Sequence, residues 1–459
     1  MTVLTQSILP FFGILLGLLV VHEAGHYITA KMFGVKVLEA GIGLPPRLFG
    51  FRWRETDYTV NAIPLGAFVR MLGEEDPSDP RSLAAQPKWK RTVIIGAGVF
   101  MNLILAITLF SAGLMIPHTV SVAGAKIGDV VPNSPAANSD LRPGDQILAV
   151  NGRHVDSQQD ASYLLRLNQG SNIDLTVKRT DPRTGPATLN KSVYSRWNPK
   201  SYNDACGVVR SQGPIGITVG PAFTQSTTTT AAERAKIEAQ SEKNFTDYKK
   251  QLGSGAPASC IGGSAFGFRP LTAGQCDGLG DPQAKAEAEA LKARLFATTD
   301  FPCYQFSAPQ AYVVPTERRS EPPWTAIPHG ARLSFESLVL ARNQIWGVIR
   351  GFGDSPFTGP VGIAQATGEV VDQAGWLSLL NFAALISMSL AMLNALPIPM
   401  VDGGRLAFIF VEFLRRGKRV APEKEALVHL AGFAAMLLFA AVITFFDISR
   451  IVNGESLLK

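Results

Sequence analysis

The sequence predicts a polytopic α-helical membrane protein. It has four transmembrane helices, a membrane-associated β segment after the first, and an extracytoplasmic β-rich domain between the second and third. Three observations predict this class. Only 17% of the 459 residues are charged, against about 25% in ordinary soluble chains. The deficit lies in four apolar stretches, each near the ~20 residues that cross a bilayer. Two short segments beside these stretches are dense in Lys and Arg, while residues 1–30 hold none. Together these features exclude a disordered or fibrous chain. The net charge of +6, from 43 basic and 37 acidic residues, reads as the topological excess of a membrane protein, and no nucleic-acid partner is expected.

The spans are expected at about residues 8–30, 93–116, 376–396 and 427–448. No Lys or Arg precedes the first, and its inner half carries His-Glu-Ala-Gly-His where a signal peptide would lead into a small-residue cleavage site, so it reads as retained. Ten Lys and Arg residues lie between spans one and two, and six follow span three. Both segments belong on the cytoplasmic side. The N-terminus, residues 117–375 and the C-terminus then lie outside. All four cysteines (Cys206, Cys260, Cys276 and Cys303) fall in that outer segment, where an oxidising compartment would let them pair with any of three connectivities.

The organisation follows from these spans. Residues 1–118 form an N-terminal membrane core, with a β segment at 40–75 that alternates apolar and polar side chains. Residues 119–222 read as a small β-rich domain with a helix near 161–167 and strands near 173–179 and 213–219. Its run Leu141-Arg-Pro-Gly-Asp145-Gln-Ile-Leu-Ala-Val-Asn-Gly152 combines a turn, an apolar strand and an Asn-Gly hairpin signal, and resembles a PDZ domain. Such domains take up an extended peptide at a sheet edge, although the same fold also serves as a packing domain without a ligand. Residues 223–330 form an accessory Cys-containing insertion. Residues 331–459 form a C-terminal membrane core opening with an amphipathic helix at 333–349.

The chemistry concentrates in His22-Glu23-Ala24-Gly25-His26. On a helix, residues i and i+4 share a face, so both imidazoles can meet one metal ion. Glu23 beside them is placed to take a proton from metal-bound water. Ionisable groups within a membrane span are costly and usually functional. A catalytic zinc takes a third protein ligand. By residue type Glu39, Asp57, Glu74, Glu75 and His118 qualify, but Asp402 is the better choice. It follows span three in Asn394-Ala-Leu-Pro397-Ile-Pro399-Met-Val-Asp402-Gly-Gly-Arg405, where two prolines break the helix and free backbone carbonyls. Charge-derived topology places both motifs near the cytoplasmic side.

With these motifs the chain resembles the site-2 protease family of intramembrane zinc metalloproteases, in its bacterial regulator-of-sigma-E type. The likeness covers residues 1–222 and 331–459. It also rests on Asn61-Ala-Ile-Pro-Leu-Gly-Ala-Phe-Val-Arg-Met-Leu-Gly-Glu-Glu75, Gly98-x-x-x-Asn102 and Gly359-Pro-Val-Gly-Ile363. Val401 stands where Leu is usual, and span two lacks a proline expected near its glycine. The resemblance implies one zinc held by His22, His26 and Asp402, with Glu23 as general base. It implies substrate contacts from Asn394 and Asn102, with Pro397 and Pro399 shaping the broken helix. Implied substrates are single-span membrane proteins cut within the bilayer, such as a pre-trimmed anti-sigma factor or a remnant signal peptide, in a bacterial inner membrane. Two other readings remain: a zinc hydrolase acting on a lipid or small amide, and a catalytically inactive scaffold tethering a partner through the PDZ-like domain.

Overall fold

The computed structural model describes residues 4–222 except 75, 182–184, 198, 200, 204–208 and 212. It also describes 312–350 and 358–452. Between 223 and 311 it describes only 225–226, 239, 242–243, 245–246, 268–271, 282–295 and 303–306. The chain divides into two compact units, one of residues 1–118, 319–348 and 353–459, the other of 119–318 and 349–352.

The first unit is helical. A π-helical turn, Leu4–Ile8, leads into α1 (Leu9–Met32), which opens with Pro10 at a position where a missing N–H costs nothing and gives way to Gly34 at φ +80°. Then come α2 (Lys88–Met115), α4 (Pro323–Ile349), α5 (Pro360–Ala374), α6 (Ser378–Ala395), α7 (Asp402–Leu414) and α8 (Pro422–Val452); α3 (Gln158–Leu167) belongs to the second unit. Four of these, α1, α2, α6 and α8, are long and apolar enough to cross a membrane. Their large apolar side chains, such as Leu430, Leu438 and Phe445 of α8, remain exposed. In water this would be an aggregation surface; in a bilayer it is the lipid-facing one. The expected amphipathic helix is longer than the sequence suggested, running from Pro323 across an internal Pro328. Helices α5 and α7 were not anticipated. Each is short and glycine-containing, and is stabilised by neighbours that a one-dimensional pattern does not reveal.

Between α1 and α2 the chain forms two long strands, β1 (Val37–Trp53) and β2 (Thr56–Met71). Their register makes more than a hairpin. Residues 47–53 pair with 56–61, while residues 39–42 pair with 57–60 on one side and with 67–70 on the other. Two bends make this possible, and glycines at φ +83° (Gly43) and +96° (Gly66) supply them. The tip is anchored to the end of α1 by Glu55, which receives Lys31 at 2.9 Å and Arg81 at 2.7 Å.

The second unit holds a sheet of order β7-β3-β4-β5-β6, formed by β3 (Ala125–Val130), β4 (Gln146–Val150), β5 (Asn172–Asp181), β6 (Gly185–Tyr194) and β7 (Ile217–Pro221). Helix α3 (Gln158–Leu167) starts at Ser157, whose side chain accepts the Asp160 N–H. Strand β5 shows the period of two that the sequence suggested. Ile173, Leu175 and Val177 are buried, each worth about 1.5–3 kcal/mol, while Asp174, Thr176 and Lys178 alternate with them. The Pro-Gly-Asp turn is fixed by charge. Asp145, 1% exposed, accepts from the Arg142 N–H and from two nitrogens of Arg179 at 2.8 Å, which holds the guanidinium above its ordinary value. Asp140, more exposed, is held well below the usual carboxylate range by Arg142, Lys191 and Arg179. The cysteine pairing lies outside the described side chains.

Asp145→Ala takes the buried carboxylate from Arg179 and leaves it only its contacts with the more exposed Asp140, so it is expected to destabilise this unit by up to about 3–5 kcal/mol. Asp140→Ala, which removes an exposed pair, costs under about 1 kcal/mol. Urea unfolding followed by hydrogen exchange of β5 and β6 distinguishes them, and equal effects would contradict this account of the turn.

Candidate metal centre

α1 is apolar throughout, yet His22 and His26 are only 6% and 7% exposed. Both lie against α2, which makes room by omitting a side chain. A Cβ on Gly98 would lie 2.4 Å from His26 Nε2 and 2.7 Å from His22 Nε2. Gly25 is the reciprocal gap on α1, since a Cβ there would meet the Ala97 carbonyl oxygen at 2.6 Å. Small residues on both helices thus bring the backbones together at the depth of the histidines.

Each imidazole has a backing partner. His26 Nδ1 lies 2.8 Å from the Ile94 carbonyl oxygen. A carbonyl can only accept, so Nδ1 carries the proton and Nε2 a lone pair. His22 Nδ1 faces the amide of Asn102 at 3.1 Å. Asn102 is 0% exposed and its Oδ1 has no partner among the described residues. Turning the amide, whose N and O are interchangeable in shape, places that oxygen on the Nδ1–H and frees His22 Nε2 in the same way. Ser387 of α6 donates to the Asn102 carbonyl oxygen at 2.8 Å, which links a third helix to this position.

Asp402 arrives as the first residue of α7. Its Oδ2 lies 3.2 Å from both His22 Nε2 and His26 Nε2, and these two nitrogens are 3.3 Å apart. Oδ2 is buried without a hydrogen-bond donor among the described residues. Three electron-rich atoms therefore converge with no proton between them, an arrangement that is repulsive unless a cation occupies the centre. A tetrahedral zinc bonded at about 2.0–2.1 Å sets neighbouring ligand atoms about 3.3 Å apart. The donor set fits that ion by separation and by type, and three protein ligands leave one position open.

The other candidate third ligands are engaged elsewhere. Glu39 meets Thr59 and Arg70, Asp57 lies 4.0 Å from Arg52, Glu74 pairs with Arg405 at 2.8 Å, and His118 Nδ1 faces the Ile116 carbonyl. Glu75 is outside the described residues. Asp402 alone among the described candidates joins the histidines. Glu23 points into a cavity of about 310 Å³ between α1 and the sheet, lined also by Tyr27, Phe51, Tyr58, Val60 and Phe68. The Val69 backbone of the 67–70 edge hydrogen-bonds its carboxylate. Asn394, on the last turn of α6, is half-buried, as is Pro399, while Pro397 is exposed. All three lie outside the metal-type group.

Several contributors were not evident from sequence. The Ile94 carbonyl is invisible there because any residue could supply it. Gly98 had a signal, its spacing from Asn102, but nothing indicated that the gap accommodates imidazoles. Two ion pairs anchor α7 behind Asp402: Arg405 with Glu74, and the buried Glu412 with Arg91 of α2 at 2.8 Å.

Comparison with known proteins adds an independent line. The sequence profile of Peptidase family M50 matches residues 10–439. A protein of Clostridium acetobutylicum is 27% identical over 443 residues, 96% of each chain. One of Ralstonia nicotianae is 29% identical over 486 residues, 97% of this chain and 98% of its own. One of Thermotoga maritima is 26% identical over 516 residues, 97% and 99%. Each carries the name "putative zinc metalloprotease".

Gly98→Ala puts a methyl group where the imidazoles pack. Zinc affinity, measured by chelator competition, is expected to fall about 10–100-fold, as when groups that orient ligands are disturbed, while helix content stays constant. Undiminished affinity would show that the rings have room to move.

Proposed function

Because the chain belongs to Peptidase family M50, the site-2 protease family of zinc-dependent metalloproteases, we propose that it is an intramembrane endopeptidase cutting the transmembrane segments of single-span proteins. The observation that carries this reading is the convergence of His22, His26 and Asp402 at 3.2–3.3 Å beside a membrane-type helix, with Glu23 facing an adjoining cavity. In this reading the three side chains hold one zinc, which when bound lowers the pKa of water and polarises a carbonyl. Glu23 takes the proton and returns it to the leaving amine. Asn102 keeps His22 in its ligating tautomer; its complete burial favours that role over substrate contact.

A membrane helix hides its backbone, so the substrate must unwind before attack. The strand 67–70 pairs with 39–42 on one side and, among the described residues, with no strand on the other, beside Glu23. A free edge there suits an extended peptide and favours a peptidase over a lipid or small-amide hydrolase. Asn394, Pro397 and Pro399 are assigned to holding and shaping the substrate path on the basis of the motif that contains them.

The second unit is assigned to the PDZ-like class, at 119–222, with 223–330 an accessory Cys-containing insertion. Its edge strand β7 and helix α3 flank a groove of about 240 Å³ lined by Leu165, Arg166, Pro214, Ile215, Ile217 and Val219, which supports uptake of an extended peptide. The charge distribution supports an N-terminus, PDZ-like domain and C-terminus on the extracytoplasmic side of a bacterial inner membrane, with the metal centre nearer the cytoplasm. Pre-trimmed anti-sigma factors and signal-peptide remnants are the substrate types that fit.

Glu23→Gln is expected to keep its zinc and to cut a co-expressed single-span substrate about 10²–10⁴-fold more slowly. Wild-type rates in this variant would remove the general-base assignment. Zinc retention with no cleavage by either protein would favour the scaffold reading.

A further inference from the structure

The segment between α6 and α7 delivers Asp402, and its geometry is unusual. Met400, two residues before the aspartate, has φ +89°, a left-handed conformation that is unfavourable for a non-glycine residue and persists only where surroundings enforce it. On the α7 side the enforcement is steric. Gly403 and Gly404 pass so close under the turn that a Cβ would lie 2.0 Å from the Leu396 carbonyl oxygen and 2.2 Å from that of Ile398. On the other side lies α8. Its Gly432 abuts Pro399, where a Cβ would approach Pro399 Cβ to 2.4 Å. One turn earlier, His429 Nδ1 accepts the Met400 N–H at 2.9 Å. The His429 ring lies against Phe408 of α7, with centroids 5.4 Å apart. Its Nε2 faces the Glu425 carboxylate at 3.9 Å, which favours the tautomer with the proton on Nε2 and leaves Nδ1 as the acceptor.

We propose that His429 is a positioning residue for the metal ligand Asp402. By accepting the Met400 N–H through Nδ1, it fixes the left-handed turn that aims the carboxylate at His22 and His26. The inference rests on Asp402 being a zinc ligand. It gives the fourth span a role at the centre although no atom of α8 belongs to the ligand set.

The test uses full-length purified protein. In His429→Asn the amide oxygen falls near the Nδ1 position, in His429→Gln it falls near Nε2, and His429→Leu offers no acceptor. Zinc affinity is measured by chelator competition and ligand geometry by the visible absorption of the cobalt-substituted protein. The Leu and Gln variants are expected to bind zinc about 10–100-fold more weakly and to show a shifted cobalt spectrum, while the Asn variant retains both properties of the wild type. Should the Leu variant fail to fold, the Asn and Gln pair carries the comparison. Wild-type affinity and spectrum in the Leu or Gln variant would overturn the proposal, as would an Asn variant as weak as Gln. Asp402→Ala serves as the reference. If it binds zinc undiminished, the ligand assignment itself fails; if it loses zinc while the His429→Leu and Gln variants keep theirs, only the role of His429 does.

Discussion

Three lone pairs, two from imidazole nitrogens and one from a carboxylate, meet at 3.2–3.3 Å within helices built to face lipid. In an apolar surrounding that convergence opposes folding, because each group loses its water and each repels the others. A divalent cation at the centre attracts all three donors at once and outweighs their mutual repulsion and lost hydration. The centre is therefore an interaction that folding alone disfavours and metal binding favours, so metal affinity and the packing of α1, α2 and α7 are coupled.

The surrounding architecture serves to keep those atoms in place. Gly25 and Gly98 allow α1 and α2 to approach closely enough for both rings to be buried. The Ile94 carbonyl and the Asn102 amide leave both Nε2 atoms unprotonated. α7 is held at its start by Arg405–Glu74 and at its far end by Glu412–Arg91. The second pair is largely buried, so loss of Glu412 would leave the Arg91 charge uncompensated. The sheet of residues 37–71 adds a wall and an edge beside Glu23, and in the proposed function that edge is where an unwound chain would lie.

Much of this was legible in the sequence, for identifiable reasons. Spans of about 20 apolar residues are composition effects, and a spacing of four between histidines is a helix effect; both are local and survive without tertiary information. The period-two pattern of Ile173, Leu175 and Val177 is local in the same sense. What was not legible is non-local. Residues 39–42 pair on two sides because the chain bends back twice, and no alternation encodes that. Helices α5 and α7 are too short and glycine-containing to stand out. The tie between Met400 and His429, 29 residues apart, joins two ordinary residue types. Asp402 was the preferred ligand on motif grounds, and its rivals Glu39, Asp57 and Glu74 could be set aside only once their partners were seen.

The central claim is the identity of the ligand atoms, and zinc X-ray absorption of the purified protein tests it most directly. Two imidazole nitrogens and a carboxylate predict a nitrogen/oxygen shell at about 2.0–2.1 Å with the outer scattering of two imidazole rings. A shell at about 2.3 Å, the distance of a zinc–sulfur bond, or the absence of imidazole scattering would contradict it.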